Sequence, residues 1–337
     1  MIISTAILIL IFLLIIFYPQ KGLYFYFKTY RKENNRIKIE NALKYIYDCE
    51  YEKGSSCSLE AIAGNFNMSV ESAVNVVKEL ETMNLIQTSD RGIILEAEGK
   101  KYALRIIRTH RLWEKYLAEE TGASELEWHE KAEQAEHKLS AEEVEKLAAK
   151  IGNPLVDPHG DPIPTADGEI RKLGGMPFSK MKIGEAGKVI HVEDEPKAIY
   201  SQLIALGIHK GMQIEVLYSS NEKIRFLANG KEAILAPSFA NNITVKKIDE
   251  PKQPAEFKSL DTLKFGEVAE VIAVSEQLRG QQRRRLMDFG ILPGTSVEIG
   301  IISPFGDPTG YIIRDTTIAL RKDQASKIFI KLKGVAA

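Results

Sequence analysis

Between about residues 175 and 333 the 337-residue chain repeats itself, and no other feature narrows its possible folds as much. Met181-Lys182-Ile183-Gly184-Glu185 matches Leu263-Lys264-Phe265-Gly266-Glu267, residues 202–211 (QLIALGIHKG) match 285–294 (RLMDFGILPG), and 240–245 match 325–330. Each copy reads as strand, short helix, glycine turn and several β-branched strands. Two tandem small β-barrels are therefore expected, over 175–249 and 256–333, with a Pro-containing linker at 250–255. Glycines 184, 266, 290 and 294 read as turn residues, and Arg279, Arg283, Arg284 and Arg285 as a solvated helix face.

The N-terminus is different in kind. Residues 1–17 (MIISTAILILIFLLIIF) carry no charge. At about 1.5 Å per residue such a helix just crosses a hydrocarbon core. No basic residue precedes the run, and Tyr18-Pro19-Gln20-Lys21 is a poor cleavage site, so an uncleaved anchor over 1–20 is expected rather than a signal peptide. Lys21, Lys28, Arg31, Lys32, Arg36 and Lys38 follow, against Glu33 alone. That asymmetry predicts a single-pass protein of the inner (cytoplasmic) membrane whose remaining domains face the cytoplasm. Tyr24, Phe25, Tyr26, Phe27 and Tyr30 would place segment 21–36 in the headgroup layer. The rest is globular in composition, with 27% charged residues and a net charge of −1, which excludes a chain that is basic throughout. Two cysteines, Cys49 and Cys57, are too few for a disulfide framework or a four-cysteine zinc site.

Residues 37–98 read as three helices and a hairpin. Ile39, Ala42, Leu43, Ile46 and Tyr47 recur at helical spacing. Ser58 and Ser69 are expected N-caps of a helix-turn-helix pair, and residues 86–95 form a wing around Asp90-Arg91-Gly92. On the second helix Ser69, Ser72, Asn75 and Lys78 are the candidate DNA contacts, with Arg91 on the wing. Residues 99–152 are strongly helical, and 153–174 (including PLVDPHGDPIP) form a Pro-rich connector in which His159 reads as structural.

Two imidazole and carboxylate clusters lie in the helical region. His110 and Glu114 are one turn apart, and His129, Glu133, Glu136 and His137 share one stripe of the next helix. This set, without thiolate, suits Mn(II), Fe(II), Co(II) or Zn(II). No nucleophile elbow, zincin, Walker or dinucleotide motif occurs, so the metal role reads as sensory and the protein as no enzyme.

The runs ALRIIRTHRLWEKYL, WHEKAEQAEHKLSAEEVEKL and GNPLVDPHGDPIP, behind a winged helix, resemble the diphtheria-toxin-repressor family of metal-dependent regulators over about residues 37–165. The two repeats resemble FeoA-like domains, with RRRLMDFGILPGTSVEI, SPFGDPTGY and IALRKDQASKIFI in the second copy. Together with the anchor expected from the apolar N-terminus, the resemblance implies a multidomain α+β chain: N-terminal transmembrane helix, winged helix-turn-helix, all-α dimerisation and metal domain, and two tandem SH3-like β-barrels. It implies an ancillary metal site at His110, Glu114 and His129, and a primary site at Glu133, Glu136 and His137. Asn41 matches the ligand position of the first winged helix, with Lys44 where manganese sensors carry a second carboxylate. Mn(II) or Fe(II) is the implied cofactor, and operator DNA and a second copy of the chain are the implied partners. An alternative reading is a membrane-bound adaptor that no longer reads DNA and regulates a ferrous iron or manganese transporter through its FeoA-like domains.

Overall fold

The computed structural model describes residues 23–335, apart from 53, 91, 173, 229–230, 250–257 and 276–277. They form two compact units, one of residues up to 109 with 136–139 and 164–169, the other of 110–135, 140–163 and 170 onward.

The first unit opens with α1 (Leu23–Tyr47), which a short π-helical turn over Asp48–Glu52 extends. No proline or glycine interrupts α1, so the helix is present 14 residues before the Ile37 expected from apolar periodicity, and residues 23–36 supply its first described turns. α2 (Leu59–Asn65) and α3 (Val70–Thr82) start at the expected caps, where Ser58 Oγ accepts from the Ala61 N–H and Ser69 Oγ from the Ser72 N–H. β1 (Ile86–Ser89) and β2 (Gly92–Leu95) pair antiparallel as the wing, and Ile93 N–H donates to Cys57 O. α4 (Ala97–Glu120) begins in this unit. Leu43 and Ile46 of α1, Ile62 of α2, Ala73 and Leu80 of α3, and Ala103 and Leu104 of α4 are all essentially inaccessible to solvent.

The expected N-terminal transmembrane helix, and the membrane location that followed from it, are corrected here. Among the described residues no helix is long and apolar enough to cross a membrane. α1 has the length, but Lys28, Arg31, Lys32, Glu33, Arg36, Lys38, Glu40 and Lys44 are distributed along it, and charges within a hydrocarbon core are costly. Residues 1–20, on which the anchor was placed, lie outside the described residues.

The second unit continues α4 from His110, then adds α5 (Trp128–Glu136) as far as residue 135 and α6 (Ala141–Lys150), which a Ser140–Glu143 capping box starts. Two six-stranded antiparallel sheets follow. The first contains β3 (Met176–Pro177), β4 (Ala186–Val192), β5 (Gln213–Ser219), β6 (Ile224–Ala228), β7 (Lys231–Leu235) and β8 (Ile243–Ile248), ordered β3-β8-β4-β5-β6-β7. The second contains β9 (Lys258–Ser259), β10 (Glu267–Val274), β11 (Ser296–Ile302), β12 (Thr309–Ile313), β13 (Thr316–Leu320) and β14 (Ile328–Val335), ordered β9-β14-β10-β11-β12-β13. The sequence repeat is thus a repeat of topology. Helix α7 (Lys197–Ala205) covers the first core, where Phe178 meets Phe226 edge-on at 5.1 Å, and α8 (Gly280–Asp288) lies at the matching place in the second copy.

The connector is fastened to the first sheet. Asp157 Oδ1 accepts from the N–H groups of His159, Gly160 and Asp161, curling the loop, and Arg111 donates to Pro162 O at 2.7 Å. His191 of β4 pairs with Asp161 at 3.2 Å. Burial alone would lower the imidazole, but the Asp161 carboxylate pushes it up to about 9, while His191 and Arg111 hold Asp161 down at about 2 against its own burial. The raised His191 stabilises the fold fully below its ordinary 6.5 and loses that contribution as pH rises through about 9. The depressed Asp161 contributes above its ordinary 3.8 and loses it only near pH 2. Denaturant unfolding in chelator should therefore show on the order of 2 kcal/mol lost between pH 6 and pH 9.5. His191→Gln should flatten that slope, and an unchanged slope would show that the pair does not carry it.

Candidate metal centre

Four segments of the second unit converge on one carboxylate. α4 presents His110 and Glu114 on one face, and Glu114 is 2% exposed. His110 Nε2 lies 3.1 Å from Glu114 Oε1. His129 of α5 brings Nδ1 to 3.4 Å from the same oxygen and to 3.0 Å from Asp194 Oδ2, in the loop after β4. Its Nε2 lies 3.1 Å from Glu195 Oε1 and 3.8 Å from Glu133 Oε1. From the connector, His159 points Nε2 at Glu114 Oε1 (4.0 Å) and Asp194 Oδ2 (3.9 Å).

His159 is the decisive side chain. It is 4% exposed, and its Nε2 has no hydrogen-bond partner among the described residues. Its other nitrogen fixes the tautomer. Tyr200 donates its hydroxyl proton to Glu125 Oε1 at 2.9 Å, so the Tyr200 oxygen accepts from His159 Nδ1, also at 2.9 Å. With the proton on Nδ1, a neutral imidazole offers a bare lone pair at Nε2. A buried lone pair without a donor is unfavourable unless something electrophilic meets it. The Trp128 and Tyr200 rings flank the imidazole at 5.9 and 5.1 Å and hold its plane.

His110, Glu114 and His129 form one set with ligand atoms mutually within 4.8 Å, and Glu114, His159 and Asp194 form another. Glu114 belongs to both. Burial opposes its ionisation, yet His110 and then His129 hold its carboxyl well below the usual range. Burial likewise opposes charge on His129, yet Asp194, Glu114 and Glu195 push it up to about 12. Carboxylate is thus in excess, and the pocket demands a positive charge. Three imidazoles with hard oxygens and no thiolate fit Mn(II) or Fe(II).

Of the expected ligands, His110, Glu114 and His129 come together here. Glu133 is exposed on α5 near His129. Glu136 and His137 belong to the other unit, where Glu40 of α1 reaches the His137 ring, while Asn41 makes no hydrogen bond to it. His159, read as structural, and Asp194 and Glu40 were not anticipated. Their only signal was composition, because each is brought in from far along the chain. On α3 Ser69, Asn75 and Lys78 are exposed and Ser72 is half-buried, while Arg91 lies outside the described residues. Glu79 of that helix is hydrogen-bonded by Asn35, whose Nδ2 donates to both carboxylate oxygens at 2.9 and 2.8 Å.

Residues 96–165 match the family described as iron dependent repressor, metal binding and dimerisation domain, and residues 176–247 and 258–332 each match the FeoA domain. The chain is similar to the diphtheria-toxin-repressor family over most of its length. It is 25% identical over 225 residues to the diphtheria toxin repressor of Corynebacterium efficiens, spanning 62% of this chain and 95% of that one. It is 32% identical over 126 residues to the iron-dependent repressor IdeR of Mycobacterium bovis, 37% of this chain and 54% of that one. Among solved structures it resembles a manganese-dependent transcriptional repressor in complex with manganese, at 27% identity and a TM-score of 0.57, over 62% of this chain and 99% of that one.

Within this chain Tyr200 touches no candidate metal position and acts only through His159. Tyr200→Phe should weaken Mn(II) binding by about 10–100-fold, the usual effect of removing the group that orients a ligating imidazole. Calorimetry on the folded variant measures this, and an affinity equal to wild type would remove His159 from the site.

Proposed function

We propose that the protein is a metal-responsive, DNA-binding transcriptional regulator of metal homeostasis that works as a dimer and uses Mn(II) or Fe(II) as its effector. The unpartnered Nε2 of His159, aimed at Glu114 and Asp194 inside a carboxylate-rich pocket, carries this reading. Glu114, His110, His129, His159 and Asp194 hold the ion. When bound, the ion supplies a divalent charge that neutralises the carboxylates and fixes the distances between their segments.

The chain's own residues do the rest. His129 gives up the proton that the surrounding carboxylates hold on it, so binding releases protons and strengthens as pH rises. Glu114 ties α4 to α5, and His159 and Asp194 tie the connector to the first sheet. An ion that binds only this assembled arrangement shifts the population toward it, by about 2.7 kcal/mol at a hundredfold excess over Kd. The exposed edge of α3, with Ser69, Ser72, Asn75 and Lys78, reads bases and phosphates, and Asn75 is the side chain suited to adenine. The match to a dimerisation domain supports two such helices per assembly, which calls for a palindromic site.

The test is selection of bound fragments from the organism's own sheared genome by the full chain at fixed salt. It is run with Mn(II), with Fe(II) under anaerobic conditions, and with chelator. A palindrome enriched only with metal is the expected result. Equal enrichment in chelator, or none under any condition while calorimetry shows metal bound, would overturn the reading.

A further inference from the structure

The first unit contains a second buried cluster, and that one already holds a cation. Lys44 of α1 places Nζ 3.2 and 3.3 Å from the two carboxylate oxygens of Glu136, whose side chain is 1% exposed. Glu136 Oε1 is 3.4 Å from His137 Nε2. His137 Nδ1 lies 2.5 Å from Glu40 Oε2, and Tyr102 donates its hydroxyl to Glu40 Oε1 at 2.6 Å. Arg36 completes the group by donating to His137 O. Burial would raise the Glu40 carboxyl, but His137 and Tyr102 together bring it below its ordinary value.

Family resemblance assigns Glu136 and His137 to a primary metal site. These residues do not fit that role as they stand. Both oxygens of Glu136 face an ammonium, so a dication seated between Glu136 and His137 would lie against it, and Glu40, the cluster's other carboxylate, is already engaged by His137 Nδ1 and the Tyr102 hydroxyl. The position opposite Glu136 that a metal would fill is taken by a charge belonging to the chain itself.

We propose that Lys44 replaces the metal at the Glu40, Glu136 and His137 cluster, so that α1 is bound to residues 136–139 without any ion and metal response is confined to the Glu114 cluster. A removable link is thereby made permanent. Metal depletion can then act on the second unit alone, while the fastening of α1 persists. The proposal rests on the preceding reading only for the Glu114 cluster.

The experiment uses the full chain, stripped with chelator, re-equilibrated with Mn(II), and measured by elemental analysis of bound metal and by calorimetry. Glu136→Gln should retain the wild-type Mn(II) content, whereas His129→Ala should lose it. Lys44→Gln, which replaces the ammonium with a shorter, neutral side chain, should gain one Mn(II) per chain, and adding Glu136→Gln should abolish the gain. Loss of Mn(II) in Glu136→Gln with an unchanged melting temperature would overturn the proposal, as would no gain in Lys44→Gln. A wild-type chain that binds no Mn(II) would sink the Glu114 reading instead, and the Lys44→Gln comparison would still decide this one.

Discussion

Glu114→Gln should lower Mn(II) affinity by at least about 100-fold, beyond the range typical of removing a supporting group. The reason is that one oxygen serves every imidazole of the site. Glu114 Oε1 lies 3.1 Å from His110 Nε2, 3.4 Å from His129 Nδ1 and 4.0 Å from His159 Nε2. An amide removes the negative charge and can present an N–H where a lone pair is needed. Thermal melts give an independent readout. Wild type should gain stability as Mn(II) rises above Kd, and the variant should gain none at the same concentrations. An equal metal-induced shift in both chains would show that the ion binds elsewhere.

Gly160→Ala should cost about 3 kcal/mol of stability and weaken Mn(II) binding with it. Gly160 has φ +113°, and an added Cβ would lie 2.1 Å from Ile190 O and 2.9 Å from His191 Cα. Those atoms are backbone of β4 and cannot swing aside, so the connector must lift from the sheet. His159 is the adjacent residue, and lifting the loop withdraws its Nε2 from Glu114 and Asp194. Gly184 provides the control, with φ +82° and nothing within 4 Å of an added Cβ. Gly184→Ala should cost about 1 kcal/mol, the backbone strain alone, and leave metal affinity unchanged. Similar effects at both positions, measured by denaturant unfolding and calorimetry, would show that the close approach at Gly160 is immaterial.

Local signals in the sequence carried far. Ser58 and Ser69 cap the helices they were expected to cap, because an N-cap is decided by a few neighbouring residues. The pair His110 and Glu114 was legible because one turn of helix guarantees their proximity. Where the structure departs from what local sequence suggests, the cause is longer-range geometry. The turns of α1 before Ile37 went unseen because they carry no repeating apolar face to mark them. Asn41 was expected where Glu40 acts, and a one-residue slip on a helix is a rotation of about 100°. Glu133 shares a stripe with His129 in projection, yet burial is set by what packs against the helix, and nothing in the stripe says which end is covered. His159 and Asp194 lie 45 and 80 residues beyond Glu114, and only the folded connector and the first sheet bring them to it.

The two sheets share one strand order but not one set of obligations. In the first copy β4 carries His191, which clasps Asp161, and leads into Asp194 at the ion pocket. The repeat places Ala273 where the first copy has His191. Duplication has therefore separated two demands that a single domain would have to meet together. The first copy is pinned by its chemistry, and substitutions along β4 and its following loop are paid for at the ion pocket. The second copy is held elsewhere: Arg284 of its helix pairs with Glu120 of α4, and Arg279 lies over the Trp128 ring. That helix is therefore not the solvated face expected of it, and divergence is open only away from it, as at the exposed Phe305 in the β11–β12 loop.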